Sequence, residues 1–395
     1  MHASNAPVLI TVTGHDHPGI TARLTQVVAE EGGQLLDIEQ VVVRGRLTLS
    51  LLVSLAGSRH VLKELLFTAK ELGVELDFEP LEETAPRTVP VQRHVVTAIG
   101  PSLGAAEVHQ ISTALAAHGG NIERISRLSE GALASLEITL GLPSDESAQR
   151  LKRDLLALAM ASTFDVALQR EGIYRRSKRL VVMDMDSTLI QIEVIDELAR
   201  AHGVMAEVAK ITERAMQGEM DFNEALRQRL ALLKGMDVAV LRKIASELPL
   251  TEGAETLIRV LKRLGYRTAV LSGGFSIAAD ALKARLGIDY AYSNELEVVD
   301  GKLTGNVLGP IVNAQRKAEL LETIARQEGI LLDQVIAVGD GANDLLMLQL
   351  AGLGIAFRAK PKLREAADTS LSRSGLDAIL YLLGISSREI VEAGL

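Results

Sequence analysis

Residues 179–188 read RLVVMDMDST. The apolar run 180–183 looks like a buried strand, and Asp184 and Asp186 follow it with one residue between them. Buried carboxylates are costly unless they are paired or bound to a cation. Residues i and i+2 of an extended segment point to one side, so both acids can face one pocket. Asp340 closes another apolar run, and Asp344 follows it in GDGANDLL. Carboxylates converging at strand ends suit a hard, oxygen-seeking cation, and Mg2+ fits because it takes few protein ligands and leaves room for water and phosphate. Asp344 alone could also be a helix N-cap. Ser272 in VLSGGF and Lys317 add a hydroxyl and a cation. The glycines Gly273 and Gly274 would bring backbone N–H groups to an anion at a helix N-terminus, or serve only as a tight turn.

These residues need a scaffold. From Leu180 onward, strand-like runs (RLVVMD, YRTAVLS, QVIAVGD, LGIAF) alternate with helical stretches. That predicts an α/β fold with a doubly wound, mostly parallel sheet and a ligand site beyond the carboxyl ends of its strands. The helical block 195–250 interrupts the alternation and is read as a cap. The phosphate-type site, sheet and cap together are expected over 178–395.

The N-terminal part holds a repeat. AEEGGQLLDIEQ and AAHGGNIERISR share a glycine pair, Gly32-Gly33 and Gly119-Gly120. In the first copy Ile20, Leu24, Val27 and Val28 fall on one helical face. RGR, at 44–46, reads as a hairpin turn. Each copy gives the order βαββαβ, over 1–83 and 92–172. The stretch with Pro86 and Pro90 is the expected linker. REGIYRRSKR, at 170–179, is expected to be a solvated basic joint.

Composition sets outer limits. The chain has 395 residues, 47% hydrophobic and 24% charged, enough for about two or three domains. Aromatics are 3% and Trp is absent, which argues against a stacking platform for single strands. A net charge of -9 disfavours nucleic acid and anionic membranes as partners. The absence of Cys excludes disulfides, thiolate metal sites and Cys nucleophiles. No signal-peptide pattern and no long apolar span is found, so a cytoplasmic protein is expected.

The repeat, with GHDHPGI after its first strand, resembles the ACT domain, an amino-acid-binding regulatory module of ferredoxin-like βαββαβ fold. The resemblance implies an L-serine effector near Asp16 and Gly19, and near Gly104 in the second copy, and a homodimer. Read from residues alone, HDHPG could be merely a polar turn.

DMDST, Ser272, Lys317 and GDGAND follow one another as do the motifs of the haloacid dehalogenase superfamily. The segment from Leu180 to about Leu383, with EVIDELA and SNELEVVDGKLTG, resembles the phosphoserine phosphatases of that superfamily. The resemblance implies hydrolysis of phosphoserine to L-serine, the last step of serine biosynthesis. Asp184 is then the nucleophile that forms an aspartyl phosphate, and Asp186 is the acid and base. Ser272 and Lys317 bind the phosphoryl group. Asp184, Asp186 and Asp340 hold Mg2+, with Asp344 behind them. Glu193 holds the substrate ammonium and Arg229 its carboxylate. Gly273 and Asn343 also touch substrate, and Met216 and Phe222 form cap walls. On residue chemistry alone, Glu193 could be a surface acid and Arg229 a helix salt-bridge partner. The alternatives are a phosphatase or phosphotransferase for another small phosphorylated amino acid or alcohol, and a non-enzymatic amino-acid sensor.

Overall fold

The structure is a computed structural model and describes residues 7–55, 60–81, 92–129 and 133–394. The chain divides into two compact units, Met1–Pro90 and Val91–Leu395. The expected linker prolines, Pro86 and Pro90, lie outside the described residues.

The first unit runs β1 (Val8–His15), α1 (Ile20–Glu30), β2 (Gln34–Val43), β3 (Arg46–Ser54), α2 (His60–Leu72) and β4 (Val74–Pro80). Its antiparallel sheet has the order β2-β3-β1-β4. Ile20, Leu24 and Val28 are buried against this sheet, and Val27 packs beside them. The turn between β2 and β3 is Arg44-Gly45, with φ of 48° and 76°. Two positive φ values in a two-residue loop match the twist of the paired strands, and glycine adopts one of them at no steric cost.

The second unit opens with the same arrangement: β5 (Gln92–Gly100), α3 (Ala105–Ala117), β6 (Asn121–Ser129), β7 (Ala134–Leu142), α4 (Asp145–Ala161) and β8 (Asp165–Arg170), in sheet order β6-β7-β5-β8. This small domain is fastened to the C-terminal part of the same unit. The Asp165 carboxylate accepts the backbone N–H groups of Ser372, Arg373 and Ser374 and the Ser374 hydroxyl. The connecting helix α5 (Ile173–Arg176) corrects the expectation of a solvated basic joint at Arg175 and Lys178, while Arg170, Arg176 and Arg179 are exposed. Arg175 is 5% exposed and its Nη2 donates to Glu137 at 2.5 Å, while Lys178 is 7% exposed and donates to the Asp333 carbonyl at 2.5 Å. A basic run reads as solvated only while its partners, here 38 and 155 residues away, are invisible.

Then come β9 (Leu180–Met183), the cap helices α6 (Val194–His202), α7 (Met205–Met216), α8 (Phe222–Ala231) and α9 (Val238–Ser246), α10 (Ala254–Arg263), β10 (Arg267–Phe275), α11 (Ser276–Leu286), β11 (Tyr290–Val299), β12 (Lys302–Leu308), α12 (Ala314–Gln327), β13 (Val335–Gly339), α13 (Leu345–Leu350), β14 (Leu353–Phe357) and β15 (Thr369–Leu371). The sheet order is β12-β11-β10-β9-β13-β14-β15, parallel throughout except between β11 and β12. Along central β9, Val181 and Met183 enter one apolar layer and Leu180 and Val182 the other. A strand covered by helices on both faces must be apolar at every position, which is why this run shows no alternation. The sheet order reverses at β9, flanked by β10 and β13, so its carboxyl end is where a ligand crevice forms. No described helix is long and apolar enough to cross a membrane.

Candidate active site

Asp184 follows the last residue of β9 and is 5% exposed. Its backbone N–H still donates to Val338, which fixes it to the sheet. Its Oδ1 accepts the Met185 N–H at 2.7 Å and the Lys317 ammonium at 2.8 Å. Lys317, on α12, is fully buried and also donates to Asp344 Oδ1 at 2.7 Å. The other Asp344 oxygen accepts the N–H groups of Asp340 and Gly341. Asp340 is held by the Thr188 hydroxyl at 3.2 Å. One oxygen from each of Asp184, Asp340 and Asp344 lies within 4.8 Å of the others. Three hard oxygen donors so close, with only one buried lysine between them, fit a divalent cation such as Mg2+.

Asp186, expected among the metal ligands, contributes no carboxylate oxygen to that group. The chain turns sharply after it, with Ser187 at φ 56°. Its carboxylate faces α6 instead. Oδ1 accepts the Val194 N–H at 2.9 Å and Oδ2 the Ser272 hydroxyl at 3.3 Å. Ser272, fully buried, also accepts the Gly274 N–H at 2.8 Å. The serine expected on phosphate therefore bridges Asp186 to the glycine turn. Asp344, expected behind the metal, stands within the carboxylate group, but its oxygens are already held by Lys317 and two N–H groups.

The charge states follow from this packing. Burial, and then Asp344, push the Asp184 carboxyl well up, while Lys317 opposes them. Burial and the neighbouring Glu193 push Asp186 up to about 7, against the Val194 N–H. Burial, Asp344 and Glu193 push Asp340 up to about 6. Burial alone would lower Lys317, but Asp184 and Asp344 more than offset it and its pKa is raised. A cation at the three carboxylates would favour their ionised forms.

Two of the expected substrate residues, Glu193 and Arg229, stand close enough to Asp186 to act on it or be acted on by its charge. Glu193 precedes α6 and accepts the Ser187 hydroxyl at 2.7 Å. Arg229, on α8, donates to the Ala225 carbonyl at 3.3 Å; burial lowers its pKa, and Glu193, Asp196 and Asp186 pull the other way. Phe222 lies over Gly273, where an added Cβ would stand 2.8 Å from its Cζ. A Cβ at Gly274 would meet Asp186 Oδ2 at 2.6 Å. Both glycines are thus needed for close approach, whatever their N–H groups bind. Met216 is 64% exposed and lines an open cavity of about 400 Å³ with Asp196, Met205 and Gln217. Asn343 sits in the loop after β13, against Gly341.

Three residues escaped the sequence reading. Ser187 and Thr188 lie inside DMDST itself, so their hydroxyls were in view but not their partners. Asn294 is 1% exposed and ties the Gly273 carbonyl to the Val312 N–H; no local pattern marks it. In the small domains, Asp16 and Gly19 lie in the turn between β1 and α1, with Gly19 at φ 100°. At Gly104 the N–H is already taken by the Glu107 carboxylate at 2.8 Å.

Comparison with known proteins agrees with this geometry. Residues 178–352 match the haloacid dehalogenase-like hydrolases, and residues 6–79 and 92–169 each match an ACT domain. The chain is 44% identical over 390 residues to the phosphoserine phosphatase SerB2 of Mycobacterium tuberculosis, covering 98% of this chain and 95% of that one. It resembles the unliganded structure of a probable phosphoserine phosphatase from Vibrio cholerae, with a TM-score of 0.58 and 35% identity over 80% of this chain and 91% of that one. It also resembles a structure described as a phospho-aspartyl intermediate analogue of phosphoserine phosphatase, with a TM-score of 0.50 and 49% identity over 52% of this chain and 98% of that one.

Proposed function

We propose that this chain, which belongs to the haloacid dehalogenase-like hydrolases and within them to the phosphoserine phosphatases, hydrolyses O-phospho-L-serine through a phosphorylated Asp184. The observation that carries the reading is the contrast between two acids two residues apart. Asp184 is ion-paired to Lys317 at 2.8 Å, whereas Asp186 forms no ion pair among the described residues and is pushed up to about 7. Lys317, and a cation at the carboxylate group, would favour the Asp184 anion that attacks against the burial that opposes it, and Asp186 can carry a proton at neutral pH.

An Asp184 oxygen attacks phosphorus, and the bond from phosphorus to the serine oxygen breaks. Asp186 gives its proton to that oxygen, so serine leaves neutral. Water then attacks the phosphorus of the acyl phosphate and passes a proton to Asp186, which regenerates the Asp184 carboxylate. Lys317 stays charged throughout and offsets the approach of an anion to a dianion. Asp184 and Asp340, with Asp344 behind them, would hold Mg2+, which would supply charge neutralisation for the phosphoryl group. Glu193 and Arg229 select the amino-acid part of the substrate by charge. Asn343 and the glycine turn border the phosphoryl side, and Met216 and Phe222 wall the cap side.

The ACT domains suggest regulation, for which we take L-serine near Asp16 and Gly19 as the effector. A homodimer is supported by the open edge of β2, where Leu35, Ile38 and Val42 are over 40% exposed. A cytoplasmic setting belongs to the same proposal.

The test is phosphate release from phosphoserine and from a panel of other small phosphate esters, with Mg2+ and with a chelator. Turnover of phosphoserine that needs the cation and vanishes in Asp184→Asn is expected. Retained turnover in that variant would remove Asp184 as nucleophile, and equal rates across the panel would leave a general phosphatase.

A further inference from the structure

A phosphate monoester arrives as a dianion, and this chain opposes its approach. The net charge is -9, and the crevice gathers Asp184, Asp186, Glu193, Asp340 and Asp344. Lys317 is fully buried and shared between Asp184 and Asp344. Arg229 answers the charges of Glu193, Asp196 and Asp186. Repulsion between like charges acts over about a Debye length, before any contact forms. An uncommitted cation beside the entrance would offset it.

Lys360 stands in that position. It follows β14, which pairs in parallel with β13, so it lies at the same carboxyl edge of the sheet as Asp340. Its backbone N–H donates to the Asp340 carbonyl at 3.5 Å, and its Nζ donates to Met216 Sδ at 3.8 Å, at the end of cap helix α7. The side chain thus runs from the loop that carries Asp340 to the cap. Lys360 is exposed and forms no ion pair among the described residues. A thioether is a weak acceptor, so the ammonium remains available to an anion.

The turn that presents this lysine is fixed on both sides. Arg358 has a φ of 45°, a left-handed conformation that is costly for a residue with a Cβ. It is held there by its N–H, which donates to the Leu371 carbonyl at 2.7 Å, and by Nη2, which donates to the Ser374 carbonyl at 3.3 Å. On the other side, Pro361 opens the short helix α14 (Pro361–Ala366) and confines Lys360 to extended backbone, at φ -66° and ψ 152°.

We infer that Lys360 is the capture residue of the crevice, the rim cation that draws the phosphate dianion past the carboxylates. The inference rests on reading the crevice as a phosphatase site. Lys360 acts on the encounter and takes no part in phosphoryl or proton transfer. Long-range attraction responds to net charge, and phosphoserine and an aryl phosphate each carry about two negative charges. Lys360 therefore serves both substrates, unlike Arg229.

The test is steady-state phosphate release from phosphoserine and from an aryl phosphate, at fixed Mg2+ and at ionic strengths of about 0.02 M and about 0.5 M. In Lys360→Gln, kcat/KM is expected to fall about fivefold at low salt and by less than about twofold at high salt, on both substrates, with kcat nearly constant. Lys360→Arg should restore it. Lys362→Gln, which removes an equally exposed charge two residues on, should leave the salt dependence as in the wild type. Thermal melting checks that each variant is folded. Wild-type kcat/KM in Lys360→Gln at low salt, a loss independent of salt, a loss confined to phosphoserine, or an equal loss in Lys362→Gln overturns the capture role. A wild type active on the aryl phosphate alone fails the phosphoserine reading, and the aryl phosphate then decides Lys360; a wild type inactive on both overturns the two together.

Discussion

Replacing Lys317 by methionine tests the electrostatic core of the site. The lysine is fully buried and makes contacts of 2.8 Å with Asp184 and 2.7 Å with Asp344. Methionine keeps most of the volume and removes the charge. Two carboxylates, 5% and 0% exposed, would then lose their shared cation. Breaking a buried pair in this way costs about 3–5 kcal/mol. Asp184, already pushed up by burial and by Asp344, would take a proton and cease to be a nucleophile. Loss of one preorganised charge at a reacting centre adds a rate penalty of about 10²–10³. Urea unfolding in the presence of a chelator measures the stability part, and phosphate release with saturating Mg2+ measures the rate part. The partner variant separates charge from packing. Asp344→Asn alone should destabilise, because Lys317 loses an anion. Lys317→Met with Asp344→Asn should be more stable than the sum of the two single losses, since one of the two unpaired carboxylates is gone. Additive losses, or a Lys317→Met midpoint equal to that of the wild type, would refute the idea that this ion triad is one coupled unit.

Arg229→Ala should lower turnover of phosphoserine by about ten- to a hundredfold and spare an aryl phosphate, because only the amino-acid substrate has a carboxylate for it; equal losses on both substrates would make Arg229 structural. Gly274→Ala should leave the melting temperature within a few degrees of wild type yet cut kcat by about a hundredfold, since its Cβ would displace Asp186 Oδ2, 2.6 Å away. Ser187→Gly keeps the backbone turn at φ 56° but removes the hydroxyl that holds Glu193, so KM for phosphoserine should rise about fivefold or more with kcat nearly unchanged. Unaltered KM there would mean that Glu193 needs no support.

The elements were legible in the sequence because their signals are local. Apolar runs flanked by glycine turns announced the strands, and Ile20, Leu24 and Val28 marked one helix face. Arg44-Gly45 marked the hairpin. Three apolar runs end on Asp184, Ser272 and Asp340, which placed the chemistry at strand ends. What the sequence could not hold is the pairing of groups distant along the chain. Lys317 is claimed by Asp184 and Asp344, and a count of acids cannot say which ones. The i, i+2 rule allowed Asp184 and Asp186 to face one pocket, but did not say which partners each carboxylate would meet there. Asp186 meets the Val194 N–H and the Ser272 hydroxyl, while Asp340 and Asp344 stand beside Asp184. The basic connector shows the same limit. Composition says that such a run prefers water, but desolvation is offset wherever a carboxylate or carbonyl arrives from elsewhere in the fold. For Arg175 and Lys178 those groups come from Glu137 and Asp333. Periodicity and motif order are properties of neighbours in sequence; charge state is a property of neighbours in space, and only the tertiary structure chose those.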